Sequence, residues 1–265
     1  MNLQNIISEI EKVDGEVIDR LAHVSRRHMF SLFGRKAAAV AAPTVVASAL
    51  NKAYGQMSGI DLPSILDVLN FALTLEYLEA EFYNVGMDMS GLIPAGPGRI
   101  AFTQIRKHEN SHVKVLQDTI RSLGSTPVNK PAFDFTAKGA FPDVFSNYNT
   151  FLTVSQAFED TGVRAYKGQA PRLITSDPIL TAALQIHSVE ARHAAKVRDL
   201  RGQKGWITGN QSPGVPPQVY AGDESVRHLE ISALVPGVPY ENATEAWDEK
   251  LTKEEVLAIV APFLA

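Results

Sequence analysis

Two short stretches of this 265-residue sequence place a glutamate three residues before a histidine. They are KHENSHVKVL at 107–116, with Glu109 and His112, and QIHSVEARHAAKV at 185–197, with Glu190 and His193. On a helix, residues three apart lie on nearly one face, with their Cβ atoms about 5–6 Å apart. A carboxylate and an imidazole so placed can point at one cation, while the other ring nitrogen bonds a neighbouring group. The chain contains no cysteine, which excludes disulfides, thiolate catalysis and zinc or iron–sulfur sites built on Cys. Any metal must then be held by His and carboxylates.

Each pair is preceded by the same signal. Glu76 is followed seven residues later by Tyr83, and Glu159 seven residues later by Tyr166. Seven residues are two helical turns, so Glu and Tyr share one stripe in each case. Glu76 stands 33 residues before Glu109, and Glu159 stands 31 before Glu190. The chain therefore reads as two diverged helical hairpins, each offering Glu and then Glu-x-x-His. In a core, such carboxylates are costly unless paired, and a cation offsets that cost; a buried polar network without metal is the alternative. Glu79 competes with Glu76, but the stripe shared with Tyr83 favours Glu76, and the counterpart of Glu79 in the second hairpin is Gly162. Tyr83 and Tyr166 read either as core aromatics with one hydroxyl bond or as redox or ligand-bonding groups. His187, one turn before Glu190, reads as a partner of the site or as a surface residue. His108, adjacent to Glu109, is expected to face solvent, and His228 has no partner pattern.

The elements that must position these residues are helical. Apolar spacing predicts helices over about 61–86, 99–123, 147–167 and 176–203. Asp61 and Pro63 open the first and Gly86 is its stop signal; Ser176, Asp177 and Pro178 open the fourth. The first and third connections are short, so each joins antiparallel neighbours. About twenty residues, STPVNKPAFDFTAKGAFPDVFS, separate the second helix from the third. That is long for an unstructured loop and the right length to cross a bundle end to end. Two antiparallel hairpins joined by a long crossover make an all-α, ferritin-like four-helix bundle. It occupies 51–204, between an N-terminal segment (1–50) and a Gly/Pro-rich C-terminal wrap (205–265). Thr252 and Glu255 form a capping box before a short terminal helix.

The net charge of −4 carries no basic excess, which argues against a general nucleic-acid binder. Near the N-terminus, Arg26 and Arg27 precede an Ala/Val-rich run at 37–50 ending in Ala47, Ser48 and Ala49. That run is too short for a stable membrane span and fits a signal peptide. The stretch resembles a twin-arginine export signal, which implies a periplasmic protein exported after folding. Residues 1–24 are acidic and amphipathic at helical spacing. The alternative is therefore a cytoplasmic protein whose N-terminal helix docks on the body or on a second subunit of a homo-oligomer.

The segments LEYLEAEFY, FEDTGVRAY and VEARHAAKVR, with the closing LTKEEVLAIVAPF, resemble the ferritin-like domain family that includes plant desiccation-related proteins. The resemblance covers about 61–203. It implies a dinuclear carboxylate site in which Glu76, Glu109, His112, Glu159, Glu190 and His193 are the metal ligands, with Tyr83 and Tyr166 beside them. Its cofactors would be two iron ions or two manganese ions, and its reaction partners dioxygen or peroxide. An iron-oxidising or peroxide-reactive oxidoreductase is one expectation; a stress-associated structural or binding protein is the other.

Overall fold

The computed structural model describes residues 61–210, 212–225 and 239–265. The twin arginine, the amphipathic N-terminal stretch and His228 lie outside the described residues. Four long helices make the body: α1 (Leu62–Asp88), α2 (Pro97–Ser122), α3 (Tyr148–Gln169) and α4 (Asp177–Leu200). Two short ones, α5 (Tyr240–Glu245) and α6 (Lys253–Val260), follow near the C-terminus. Asp61 and Asn147 cap α1 and α3 by accepting backbone N–H bonds within the first turn, which satisfies donors that the helix itself leaves free. Ser176 holds the equivalent place before α4, but its side chain makes no capping bond.

The helices pair as α1 with α2 and α3 with α4. Side-chain bonds fix the direction. Tyr77 meets Gln117, Asn84 meets Asn110 and Asp88 meets Arg106, so partners climb α1 as they descend α2. In the second hairpin Asp160 binds Arg198 and Gln156 binds Arg201 in the same antiparallel sense. The long crossover follows α1 along its length. Val128 is held by Asn70 and Tyr77, and Phe135 and Phe145 pack on Phe82 farther along the same helix. It is a structured strap, stitched by Asp134, which accepts bonds from the Thr136 backbone and hydroxyl and from the Lys138 backbone. The expected bundle of two hairpins and a crossover is the observed one.

Four helix ends differ from the sequence reading by two or three residues, α2 opening at Pro97 and α3 running on to Gln169. Helix α4 stops at Leu200, before 203, because Gly202 takes a left-handed φ of 71° and the chain turns there. Helix α1 continues through Gly86 to Asp88. Gly86 is a packing residue: a Cβ there would lie 2.3 Å from the Phe151 ring. That ring stacks on Phe82 at 4.7 Å, so it has little room to retreat. Gly86→Ala should therefore lower stability by about 1–3 kcal/mol, as overpacked cores do. Urea unfolding of the metal-free protein measures this, and wild-type stability would contradict it.

Beyond α4 the chain passes over α3 and is anchored by buried polar groups. Arg164, on α3 and 0% exposed, donates to the carbonyls of Val219, Ala221 and Glu249 and lies 3.4 Å from Asp223. Tyr220 donates to Asp160 at 2.7 Å. The capping box of Thr252 and Glu255 opens α6 as the sequence suggested. No described helix is long and apolar enough to cross a membrane.

Candidate metal centre

Each long helix carries its share of one buried cluster. Glu76 comes from α1, Glu109 and His112 from α2, Glu159 from α3, and Glu190 and His193 from α4. The four carboxylates are fully shielded from solvent, and both imidazoles are buried. His112 Nδ1 lies 3.0 Å from Glu190, 3.2 Å from Glu76 and 3.2 Å from Glu109. His193 Nδ1 lies 2.8 Å from Glu109, 3.3 Å from Glu159 and 3.7 Å from Glu190. Each imidazole thus faces three carboxylates.

These contacts define two overlapping groups. One is Glu76, Glu109, His112 and Glu190; the other is Glu109, Glu159, Glu190 and His193. Within each group the donor atoms lie inside 4.8 Å of one another. Glu109 and Glu190 belong to both, as residues between two cations would.

The tyrosines bond across the bundle. Tyr83 Oη donates to Glu159 Oε1 at 2.5 Å, and Tyr166 Oη to Glu76 Oε1 at 2.5 Å. Seven residues along a helix span about 10.5 Å, too far for either tyrosine to reach the glutamate of its own stripe. Antiparallel α1 and α3 bring each hydroxyl onto the glutamate of the other hairpin. Each hydroxyl occupies one oxygen and leaves the second, Glu76 Oε2 or Glu159 Oε2, turned inward without a hydrogen bond. Glu109 Oε1, both oxygens of Glu190 and His193 Nδ1 also lack one. Buried polar atoms are ordinarily hydrogen-bonded. A convergent set of unbonded oxygens with one unbonded imidazole nitrogen fits cations that take carboxylate and imidazole ligands, and the residues present fit two of them.

Charge in the cluster follows from burial and mutual contact. Burial opposes protonation of both imidazoles, but the surrounding carboxylates outweigh it: His112 is pushed up to about 12, and His193 well above its ordinary value. Burial likewise raises the carboxylates. Glu109 rises well above the usual range, with Glu190 adding to the effect, and Glu159 reaches about 7 against the opposing pull of His193. Glu190 resists burial because it faces both imidazoles, and is held at about 2. In the metal-free protein, imidazolium charge therefore stands in for cation charge.

Four further residues lie near the site. Glu79 is buried beside it and is driven well up by burial and by four neighbouring carboxylates, but belongs to neither donor group. Gly162 makes room for it: a Cβ there would lie 3.1 Å from Glu79 Oε1. No hydrogen bond or ion pair joins His187 to the described cluster, although Glu190 is near enough to act on its charge. His108 does bond to it, against the expectation that it faces solvent. Its Nδ1 lies 2.8 Å from His193 Nε2 and its Nε2 lies 2.6 Å from Gln104. A side chain next to Glu109 points away from that carboxylate along α2, but here it points at the adjacent α4. The available signal was the four-residue spacing of Gln104, His108 and His112, one face of α2.

A model of the ferritin-like domain family matches residues 64–203, which are α1 to α4 with the crossover. The chain belongs to the ferritin-like domain family. No curated protein matches it. The ferritin-like bundle is one in which facing helices build dinuclear sites from two Glu and two Glu-x-x-His contributions. The buried clusters of this chain are consistent with such a site.

Proposed function

We propose that this ferritin-like protein is a dinuclear-metal oxidoreductase that binds two ions of iron or manganese and reacts with dioxygen or peroxide. The observation that supports it most is the set of buried donor atoms on Glu76, Glu109, Glu159, Glu190 and His193 that lack hydrogen bonds. In this reading Glu109 and Glu190 would serve both ions, Glu76 and His112 would complete one position, and Glu159 and His193 would complete the other. Bound iron or manganese would supply a redox couple and a Lewis acid for an oxygen ligand.

The chain does the rest. Tyr83 and Tyr166 orient the two terminal carboxylates, so that Glu159 and Glu76 each present one oxygen inward. Full burial of the four carboxylates keeps bulk water away and strengthens their field. His112 and His193 carry protons in the metal-free state and must release them to act as ligands. The test is reconstitution without oxygen with two equivalents of iron(II), or of manganese(II), followed by dioxygen or peroxide. Consumption faster than by the same metal in buffer supports the reading. A rate equal to that of free metal contradicts it.

The tyrosine contacts carry their own expectation. Tyr83→Phe leaves Glu159 Oε1 buried without a donor, and Tyr166→Phe does the same to Glu76 Oε1. Loss of a group that orients a ligand typically weakens metal binding about 10–100-fold. Each variant should weaken one position of the pair, and the one affected should be that of the opposite hairpin. Metal titration of the two variants measures this. Equal loss at both positions would contradict the crossed arrangement.

The same reading places the working protein outside the cytoplasm, exported after folding around its metals. The twin arginine and the Ala47, Ser48, Ala49 stretch support it. Arg26→Lys with Arg27→Lys should retain the longer species inside the cell. Mass spectrometry of the native protein should find a chain beginning after Ala49; an intact Met1 would overturn the export reading.

A further inference from the structure

The outer edge of the candidate centre differs between its two imidazoles. His193 turns Nδ1 inward among Glu109, Glu159 and Glu190. Its Nε2 turns outward, 2.8 Å from His108 Nδ1, and the rings lie 5.1 Å apart and 14° from parallel. His108 Nε2 in turn lies 2.6 Å from the side-chain amide nitrogen, Nε2, of Gln104, which is exposed. A continuous chain of side-chain contacts thus runs from one candidate ligand to the surface.

We propose that His108 is a positioning residue for the metal position built on His193, holding that imidazole by accepting a hydrogen bond from its outer nitrogen. The proposal rests on the metal reading given above. Coordination through Nδ1 leaves a neutral imidazole only Nε2 on which to carry its proton. His193 must then donate and His108 Nδ1 must accept. The proton of His108 consequently sits on its own Nε2, and the Gln104 amide, which turns its Nε2 to that nitrogen in this structure, must rotate to accept the proton through its oxygen. With the Gln104 amide so turned, every link in the chain is donor to acceptor in one direction, outward from the site.

The other half of the centre lacks this device. The residue before Glu190, in the place equivalent to His108, is Val189, whose side chain can accept nothing. Among the described residues no hydrogen bond reaches His112 Nε2. Among the described residues His193 is therefore held from both sides and His112 from the inside alone. A hydrogen-bond acceptor behind a ligating imidazole fixes its tautomer and ring orientation and raises its basicity. The two metal positions are accordingly unequal, and the position of His193 with Glu159 depends on a side chain that touches no metal.

The experiment is a cobalt(II) titration without oxygen of the full-length, metal-free protein beside His108→Leu and His108→Asn. Wild type should take two ions. His108→Leu should bind one ion as wild type does and the other about 10–100-fold more weakly. His108→Asn, whose amide oxygen can accept at the place of Nδ1, should recover most of that loss. Nitrogen-15 spectra of histidine-labelled, zinc(II)-loaded protein should find both His193 and His108 protonated on Nε2. Wild-type binding of both ions by His108→Leu, equal weakening of both positions, no recovery in His108→Asn, or a proton on His108 Nδ1 would each overturn the role of His108. A wild-type protein that binds no cobalt(II) would instead overturn the metal reading beneath it.

Discussion

Glu190→Ala is expected to abolish paired metal binding, whereas Glu76→Ala should leave one position occupied. The difference follows from placement. Glu190 belongs to both donor groups and Glu76 to one. Both Glu190 oxygens lack hydrogen bonds, while Glu76 has one oxygen held by Tyr166 and one free. Removing Glu190 withdraws a ligand from each position and also one of the two carboxylates that both imidazoles face. Removing Glu76 withdraws a ligand from the His112 position and leaves Glu109, Glu159, Glu190 and His193 in place. Glu109→Ala should resemble Glu190→Ala, and Glu159→Ala should mirror Glu76→Ala. Glu79→Gln is the control: that residue is buried beside the cluster but outside both groups, so two ions should still bind. Metal content of the five variants decides the matter. Two ions in Glu190→Ala, or none in Glu79→Gln with Glu76→Ala unaffected, would contradict the assignment.

The second large effect is an opposite response to pH with and without metal. In the metal-free protein, Glu159 is raised from an ordinary 4.5 to about 7 and His112 from 6.5 to about 12. Groups raised on folding contribute stability in full below their unfolded values and lose it as pH climbs through their folded values. The Glu159 contribution thus falls away between about pH 4.5 and 7, and that of His112 from about pH 6.5 upward. Glu109 and His193 are raised as well and act in the same direction. Glu190, lowered to about 2, works the other way, but its window lies between pH 4.5 and 2. From pH 5 to 9 the stripped protein should therefore become steadily easier to unfold. Metal binding must expel the imidazole protons, so it strengthens over the same range, by about 100-fold per pH unit where two protons are displaced. Thermal unfolding of chelator-stripped and metal-loaded protein across this range should give slopes of opposite sign. Parallel slopes would contradict the assignment of His112 and His193 as both proton carriers and ligands.

Much of the site was legible because helices convert spacing into direction. Glu109 with His112, and Glu190 with His193, needed only the three-residue interval to share a face, and the duplicated Glu and Tyr stripe pointed to Glu76 and Glu159. The bundle followed from four apolar periods and one over-long connection. What spacing along one helix does not carry is the register between helices. The tyrosines therefore bond across hairpins, and His108 reaches His193 on α4. Gly86 misled for a related reason. Its missing side chain admits the Phe151 ring from α3, a need that arises only when α1 and α3 are packed. Arg164 and Asp160 likewise gain further partners from the distant segment around 219–223, which the local pattern of α3 could not announce.

Counting bound metal is the most direct test for a pair of cations shared by Glu109 and Glu190. Chelator-stripped protein should be loaded with iron(II) or manganese(II) in the absence of oxygen, freed of excess metal and measured by elemental analysis against protein concentration. Two ions per chain are predicted. A chain that retains none, with its helical bundle intact, would contradict the account.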